Sequence, residues 1–175
     1  AILSSEVPVS CLVYPKGARA ASAGTYMMYA CHIAAMAPAT TLGAATPVQV
    51  GVPAPGQGNQ PANDKPSAME RKVLNDSIAY IRSLAQLRGR NAEWAEKAVT
   101  DAATLTAEEA LQKKVINHIA DSPQQLLQML DGTTVNLEER EITLVTKDIP
   151  LTLIEPDWRN KLITQITNPS TAYIL

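Results

Sequence analysis

GARAASAGTY, residues Gly17 to Tyr26, is a run of small residues with one hydroxyl, Ser22, near its middle. An apolar stretch, VPVSCLVYP, precedes it, and a second, MMYACHIAAMAP, follows it. Val7 to Tyr14 is rich in Val, Leu and Tyr and reads as a buried strand, punctuated by Pro15 and Gly17. A short helix is expected from Ala23 to His32, and a second apolar strand from Ile33 to Ala37. Strand, small-residue turn, helix, strand is the grammar of an α/β domain. The fold class expected is therefore α/β, and Ser22 sits at its first strand-to-helix turn.

Downstream, Thr46 to Ser67 is dense in Pro, Gly, Asn and Gln. A structureless loop this long inside a compact domain is usually functional or disordered. A helix should begin at Ser67, where Ser67 and Glu70 form an S-x-x-E capping box. Leu74, Ile78, Ile81 and Ala85 follow at helical spacing as a core-facing stripe, and Gly89 ends the helix. Asn91 can cap AEWAEKAV, and Thr106 with Glu109 makes a second capping box ahead of AEEALQKKV. Val115 to Ala120 fits a short strand. Ser122-Pro123 opens one more helix that stops at Gly132. Beyond a soft boundary near residue 132, Thr133 to Leu153 is rich in Thr, Val, Ile and Leu and suggests strands or a hairpin; Glu155-Pro156-Asp157 could open a last helix through Ile166. There are no internal repeats. The opening AILSSEVPV reads as the end of a helix running into a strand, and NPSTAYIL stops as the sequence turns apolar, so a fragment is expected.

Composition narrows the function. The chain has 175 residues, 46% of them hydrophobic, which allows one domain with a real core and room for an appendage. Net charge is −2 with no block of like charge, and aromatics make up 4% with no Phe. Nucleic acid and an anionic membrane surface are thus poor main partners. Cys11 and Cys31 lie in no metal-like pattern and read as buried, unreactive thiols; His32 and His118 are the only histidines, and no HExxH pattern is present. No metal or cofactor is expected. No apolar run of about 18 residues spans a membrane.

A serine at a tight turn before a helix has two chemical advantages. The turn lifts its side chain clear of the strand ends, and the free N–H groups of the first helical turn face any oxyanion formed beside it. Small neighbours let a substrate backbone approach. The A-S-A-G pattern is not the G-x-S-x-G elbow of α/β-hydrolases. Spacing by itself favours the plainer reading, in which Ser22 caps the helix, because Ser is a preferred N-cap. A nucleophilic serine also needs a base. His32 lies at the far end of the helix, and His118 sits in the apolar run VINHIA. A lysine serves if burial lowers its pKa from about 10.4 toward neutrality. Lys16, Lys65 and Lys72 are the candidates. Periodicity does not select Lys72: it falls almost opposite the Leu74, Ile78, Ile81 stripe and reads as an exposed lysine beside Asp76 at i,i+4.

PKGARAASAGTYMMYACHIAAMAPATTLGAATPV resembles the nucleophile region of the membrane-bound ClpP-class serine proteases, the long NfeD or stomatin-operon-partner proteins. NDSIAYIRSLAQLRGRNAEWAEKAV and LTAEEALQKKVINHIA continue the pattern, so the resemblance runs from about Val7 to Gly132. It implies a ClpP/crotonase-like spiral of ββα units, truncated at its N-terminus, with a β-rich and helical C-terminal extension. The implied domains are a serine protease domain at 1–132 and an extension at 133–175 leading toward a membrane segment. Carried over by position, the nucleophile is Ser22, the general base is Lys72, and the backbone N–H of Ala23 is an oxyanion donor. The family's upstream P-G-G oxyanion loop has no counterpart here, and Pro38-Ala39-Thr40 stands where the family often has P-G-T. The implied substrates are hydrophobic polypeptide segments, the partner a stomatin-like membrane protein, the assembly a homodimer or larger homo-oligomer, and the location the extracytoplasmic side of a membrane. Two other functions fit the same residues: a non-catalytic membrane-organising module that binds its partner through the cleft, and an acyl-CoA enzyme of the crotonase type, which would leave Ser22 and Lys72 without a role.

Overall fold

The structure is a computed structural model that describes residues 2–47, 67–137 and 140–154. Two successive strand–strand–helix units open the chain. The first is β1 (Ser10–Val13), β2 (Arg19–Ala21) and α1 (Ala23–Ala30); the second is β3 (Ile33–Met36), β4 (Thr41–Gly43) and α2 (Ala68–Leu87). Each unit gives one strand to each of two sheets. β1 pairs with β3 in parallel, Ser10 opposite Ile33, and β2 pairs with β4 in parallel, Arg19 opposite Thr41. After α3 (Ala92–Thr100) comes β5 (Thr104–Thr106), which joins β4 antiparallel. After α4 (Ala107–Gln112) comes β6 (His118–Ile119), which joins β3 in parallel. α5 (Pro123–Leu130) and the hairpin β7 (Thr134–Leu137) and β8 (Arg140–Thr143) complete the described fold.

β3 explains the layering. All four of its residues are buried, and successive side chains of a strand face opposite ways. Ala34 and Met36 enter a core with Tyr29, Leu42, Ile81, Leu84 and Val99. Ile33 and Ala35 enter another with Leu126, Leu130 and Val135. The segment after residue 132 therefore packs on the back of this sheet through Val135, with Leu144 partly buried beside it.

Local signals set the helices. Both capping boxes form: Glu70 N–H donates to Ser67 Oγ while Glu70 accepts from Ser67 N–H, and Thr106 with Glu109 repeats the pattern. Each such cap contributes about 1 kcal/mol. Asn91 and Ser122 cap α3 and α5 through their side chains. In α2, Ile81 and Ala85 are buried and Leu74 and Ile78 half-buried against the first core, as the stripe requires.

Three expectations are corrected. The strand expected over Val7 to Tyr14 is confined to Ser10–Val13. The small-residue stretch before Ser22 holds a strand, β2, where only a turn was expected; β4 and β5 were likewise unforeseen, each three residues long. Cys11 and Cys31 are not free thiols: a disulfide joins them and ties β1 to the end of α1. The helix expected from Glu155 lies outside the described residues, as does most of the Thr46–Ser67 loop.

The C-terminal end of α1 is held by buried charge. Arg90 Nη1 donates to the carbonyls of Met28 and Tyr29 at 2.8 and 2.9 Å, and its Nη2 donates to His32 O and Asn117 Oδ1 at 3.3 and 3.0 Å. Arg88 Nε donates to Ala30 O at 2.9 Å. The last carbonyls of a helix carry its negative end, so cations belong there. Burial pushes the Arg90 guanidinium down to about 10, with Arg88 adding to the shift and Tyr29 opposing it; it remains charged at neutral pH. Arg90→Met is expected to lower the unfolding free energy by about 3 kcal/mol, because it strands several buried acceptors. Arg90→Lys should recover less than half, since an ammonium cannot reproduce the fork. Urea midpoints at constant slope measure both; a loss under about 0.5 kcal/mol for Arg90→Met contradicts the anchoring role.

Candidate active site

Ser22 occupies the turn where β2 stops and α1 begins. Its backbone sits at φ 49° and ψ −116°, and its hydroxyl makes no capping bond to the helix. The plainer reading of Ser22 as an ordinary N-cap is thus corrected. It stands at the cap position, but an N-cap has extended geometry and spends its oxygen on the helix. Here the oxygen is exposed and, among the described residues, makes only a long contact, 3.5 Å, toward the carbonyl of Ala44. A positive φ at a residue with a Cβ costs roughly 1–3 kcal/mol and persists only where neighbours impose it.

Those neighbours are identifiable. Ser22 N–H donates to Ala44 O at 3.1 Å, and Ala44 N–H donates to Ala103 O at 3.0 Å. The fully buried Thr25 donates its hydroxyl to Gly43 O at 2.8 Å, with Ala20 O 3.3 Å away. The first turn of α1 is therefore fastened to the ends of both β2 and β4. Gly43 is required where it stands: its φ is 140°, and an added Cβ would overlap the carbonyl oxygen of Ala103. As the first residue of α1, Ala23 has no intrahelical acceptor for its N–H. That donor is placed beside Ser22, as an oxyanion site requires.

An open groove of about 390 Å³ runs past Ser22 and Ala23. Tyr26, one turn into α1, stacks on Tyr80 of α2 with ring centroids 6.0 Å apart, and both line the groove. Burial raises the Tyr26 phenol, while a hydrogen bond with Ser77 opposes the shift. Ala45 and Pro47 add apolar surface, and among the described residues Asp76 is the one carboxylate in the lining.

The expected site residues are brought together in part. Ser22 and Ala23 share the groove. Lys72 lies one turn before Asp76 on the outer face of α2 and is exposed. Among the described residues no hydrogen bond or ion pair joins Lys72 to Ser22 or to Asp76. Of the other candidate bases, Lys16 pairs with Asp121 at 3.3 Å, and Lys65 lies outside the described residues. His32 and His118 line a separate hollow of about 260 Å³ with Arg88 and Asn117. His32 Nδ1 accepts from Val9 N–H at 3.2 Å; burial, then Arg88 and Arg90, holds its pKa down, and burial lowers that of His118. Neither imidazole faces Ser22. Among the described residues no group of three metal-ligating side chains forms, and no helix is long and apolar enough to cross a membrane. Sequence reasoning missed Tyr26, Ser77 and Tyr80. Tyr26 lies four residues after Ser22, one helical turn away, which was the available signal.

No family model matches the chain. It is 40% identical over 176 residues to the membrane-bound protease PH1510 of Pyrococcus horikoshii, a match that covers 99% of this chain and 38% of that protein. The chain thus spans well under half the length of that curated relative. Among solved structures, it is similar to the 1510-N membrane-bound stomatin-specific protease, a lysine-to-alanine mutant in complex with a substrate peptide. The TM-score is 0.79 at 38% identity, over 95% of this chain and 73% of that one. A serine-to-alanine mutant of the same protease matches with a TM-score of 0.74 at 38% identity, over 89% of this chain and 72% of that one.

The strained backbone has a measurable signature. Glycine takes positive φ freely and alanine does not, so Ser22→Gly is expected to be more stable than Ser22→Ala by about 1 kcal/mol. Paired thermal melts read the difference. Equal stability, or an advantage for alanine, contradicts the geometry at Ser22.

Proposed function

The chain belongs to the family of the 1510-N membrane-bound proteases, and from that membership we propose that it is a serine endopeptidase working through Ser22 and Lys72. The observation that carries the proposal is the exposed Ser22 hydroxyl on a strained turn, at the first turn of a helix and beside an open groove with apolar walls. The serine-to-alanine and the lysine-to-alanine, peptide-bound relatives support the same pair of residue types.

In the proposed mechanism a neutral Lys72 amine takes the proton of Ser22 as Oγ attacks the peptide carbonyl carbon. The oxyanion is met by the Ala23 N–H. Lys72 then gives the proton to the leaving amine, and a water molecule, deprotonated by the same amine, releases the acyl group from Ser22. A neutral amine needs a dry setting, whereas Lys72 is exposed. Lys72 does not itself line the groove, so the mechanism requires that bound peptide extend over it. The stacked tyrosines and the alanine surface suit apolar substrate segments. A stomatin-like membrane protein is the proposed source of those segments, because the crystallised relative is specific for a stomatin homologue. Placement on the extracytoplasmic side of a membrane belongs to the same reading, as does assembly as a homo-oligomer.

The exposure of Lys72 favours one alternative, a non-catalytic module that binds its partner through the groove. A fluorophosphonate probe separates the two readings. With the full-length protein, stoichiometric labelling of Ser22 that is lost in Lys72→Ala is expected, and peptide cleavage should fall at least about 1,000-fold in Ser22→Ala and in Lys72→Ala. Cleavage that survives either substitution removes the dyad. Absence of labelling and of cleavage favours the binding module.

A further inference from the structure

We propose that Asp76 makes the Ser22 groove selective for peptides carrying a lysine or arginine beside the reacting bond; the proposal rests on reading that groove as the peptide site. Three observations on the groove point to this side-chain class. Its walls are apolar, formed by the stacked rings of Tyr26 and Tyr80 and the methyl groups of Ala23 and Ala45. Among the described residues its lining holds a single carboxylate, Asp76. That carboxylate is exposed, and among the described residues it has neither an ion-pair nor a hydrogen-bond partner.

Of the other charges on α2, Arg71 and Lys72 have no ion-pair partner among the described residues, and two are engaged. Arg82 pairs with Glu96 of α3 at 3.2 Å, and Glu70 is spent on the capping box with Ser67. Lys72 stands at i−4 from Asp76, but no ion pair connects them.

A lysine or arginine side chain matches this surface along its length. Its methylene stem covers apolar walls while its head reaches the carboxylate. The tyrosine faces add attraction for a cation. A substrate glutamate would meet like charge at the same place, so the groove discriminates by repulsion as well as by attraction. Norleucine, which has the stem without the charge, isolates the contribution of Asp76.

The test uses binding, so that it does not depend on hydrolysis. In the full-length Ser22→Ala protein, short fluorescent apolar peptides carry Lys, norleucine or Glu at each position in turn, and anisotropy gives the dissociation constants. At one position the Lys peptide is expected to bind about fivefold or more tightly than the norleucine peptide, with Glu weakest. Adding Asp76→Asn should bring the Lys-to-norleucine ratio to about one, and Asp76→Lys should turn the preference toward Glu. The proposal is overturned if no position prefers Lys, if the preference survives Asp76→Asn, if Asp76→Asn weakens all peptides alike, or if none of the peptides binds. The nucleophile stands or falls on probe labelling of Ser22, so failure of the specificity and failure of the protease reading are told apart.

Discussion

One serine is held in a backbone conformation that L-residues rarely adopt. The chain leaves β2 and enters α1 through Ser22 at φ 49°, and every nearby bond serves to keep it there. Ala44 O takes the Ser22 N–H, the buried Thr25 hydroxyl reaches Gly43 O and approaches Ala20 O, and Gly43 lies too close to Ala103 to be anything but glycine. An ordinary helix start would release the strain and turn the hydroxyl onto the helix's own N–H groups. The strained start instead leaves both the oxygen and the Ala23 N–H available to something outside the chain. Strain maintained at a site in this way suits pre-organisation.

The same helix is fixed at its other end by different means. Arg90 and Arg88 gather the carbonyls of Met28, Tyr29, Ala30 and His32, and the Cys11–Cys31 disulfide adds a covalent tie to β1. α1 has eight residues, too short to be stable alone. Its position is therefore set by these anchors and by the core around Tyr29 and Met28. α2 lies against it, which is how Tyr80, Ser77 and Asp76 come to face the turn at Ser22.

Much of this was legible in the residues. The capping boxes at Ser67 and Thr106 form as their spacing requires, and β1 and β3 stand out as apolar runs. The strands β2, β4 and β5 did not, because three residues of Arg, Ala, Thr, Leu and Gly are too few to show a period of two. The strain at Ser22 was invisible for a subtler reason. An N-cap and a strained turn both place a serine just before a helix, and only the dihedral angles separate them. Lys72 illustrates the limit in the other direction. Periodicity places it on the solvent side of α2, the structure agrees, and its assignment as base came from family resemblance. The cysteines misled because two residues twenty positions apart carry no spacing signal for a bridge.

The central claim is that the Ser22 oxygen and the Lys72 amine meet when a peptide lies in the groove. A crystal structure of the full-length protein with a peptide boronate tests it most directly. The account predicts a covalent Ser22 Oγ–boron bond, a boronate oxygen on the Ala23 N–H, and Lys72 Nζ within about 3.2 Å of Ser22 Oγ. An inhibitor seated in the groove with Ser22 unmodified, or with Lys72 still directed into solvent beyond hydrogen-bond reach, would contradict it.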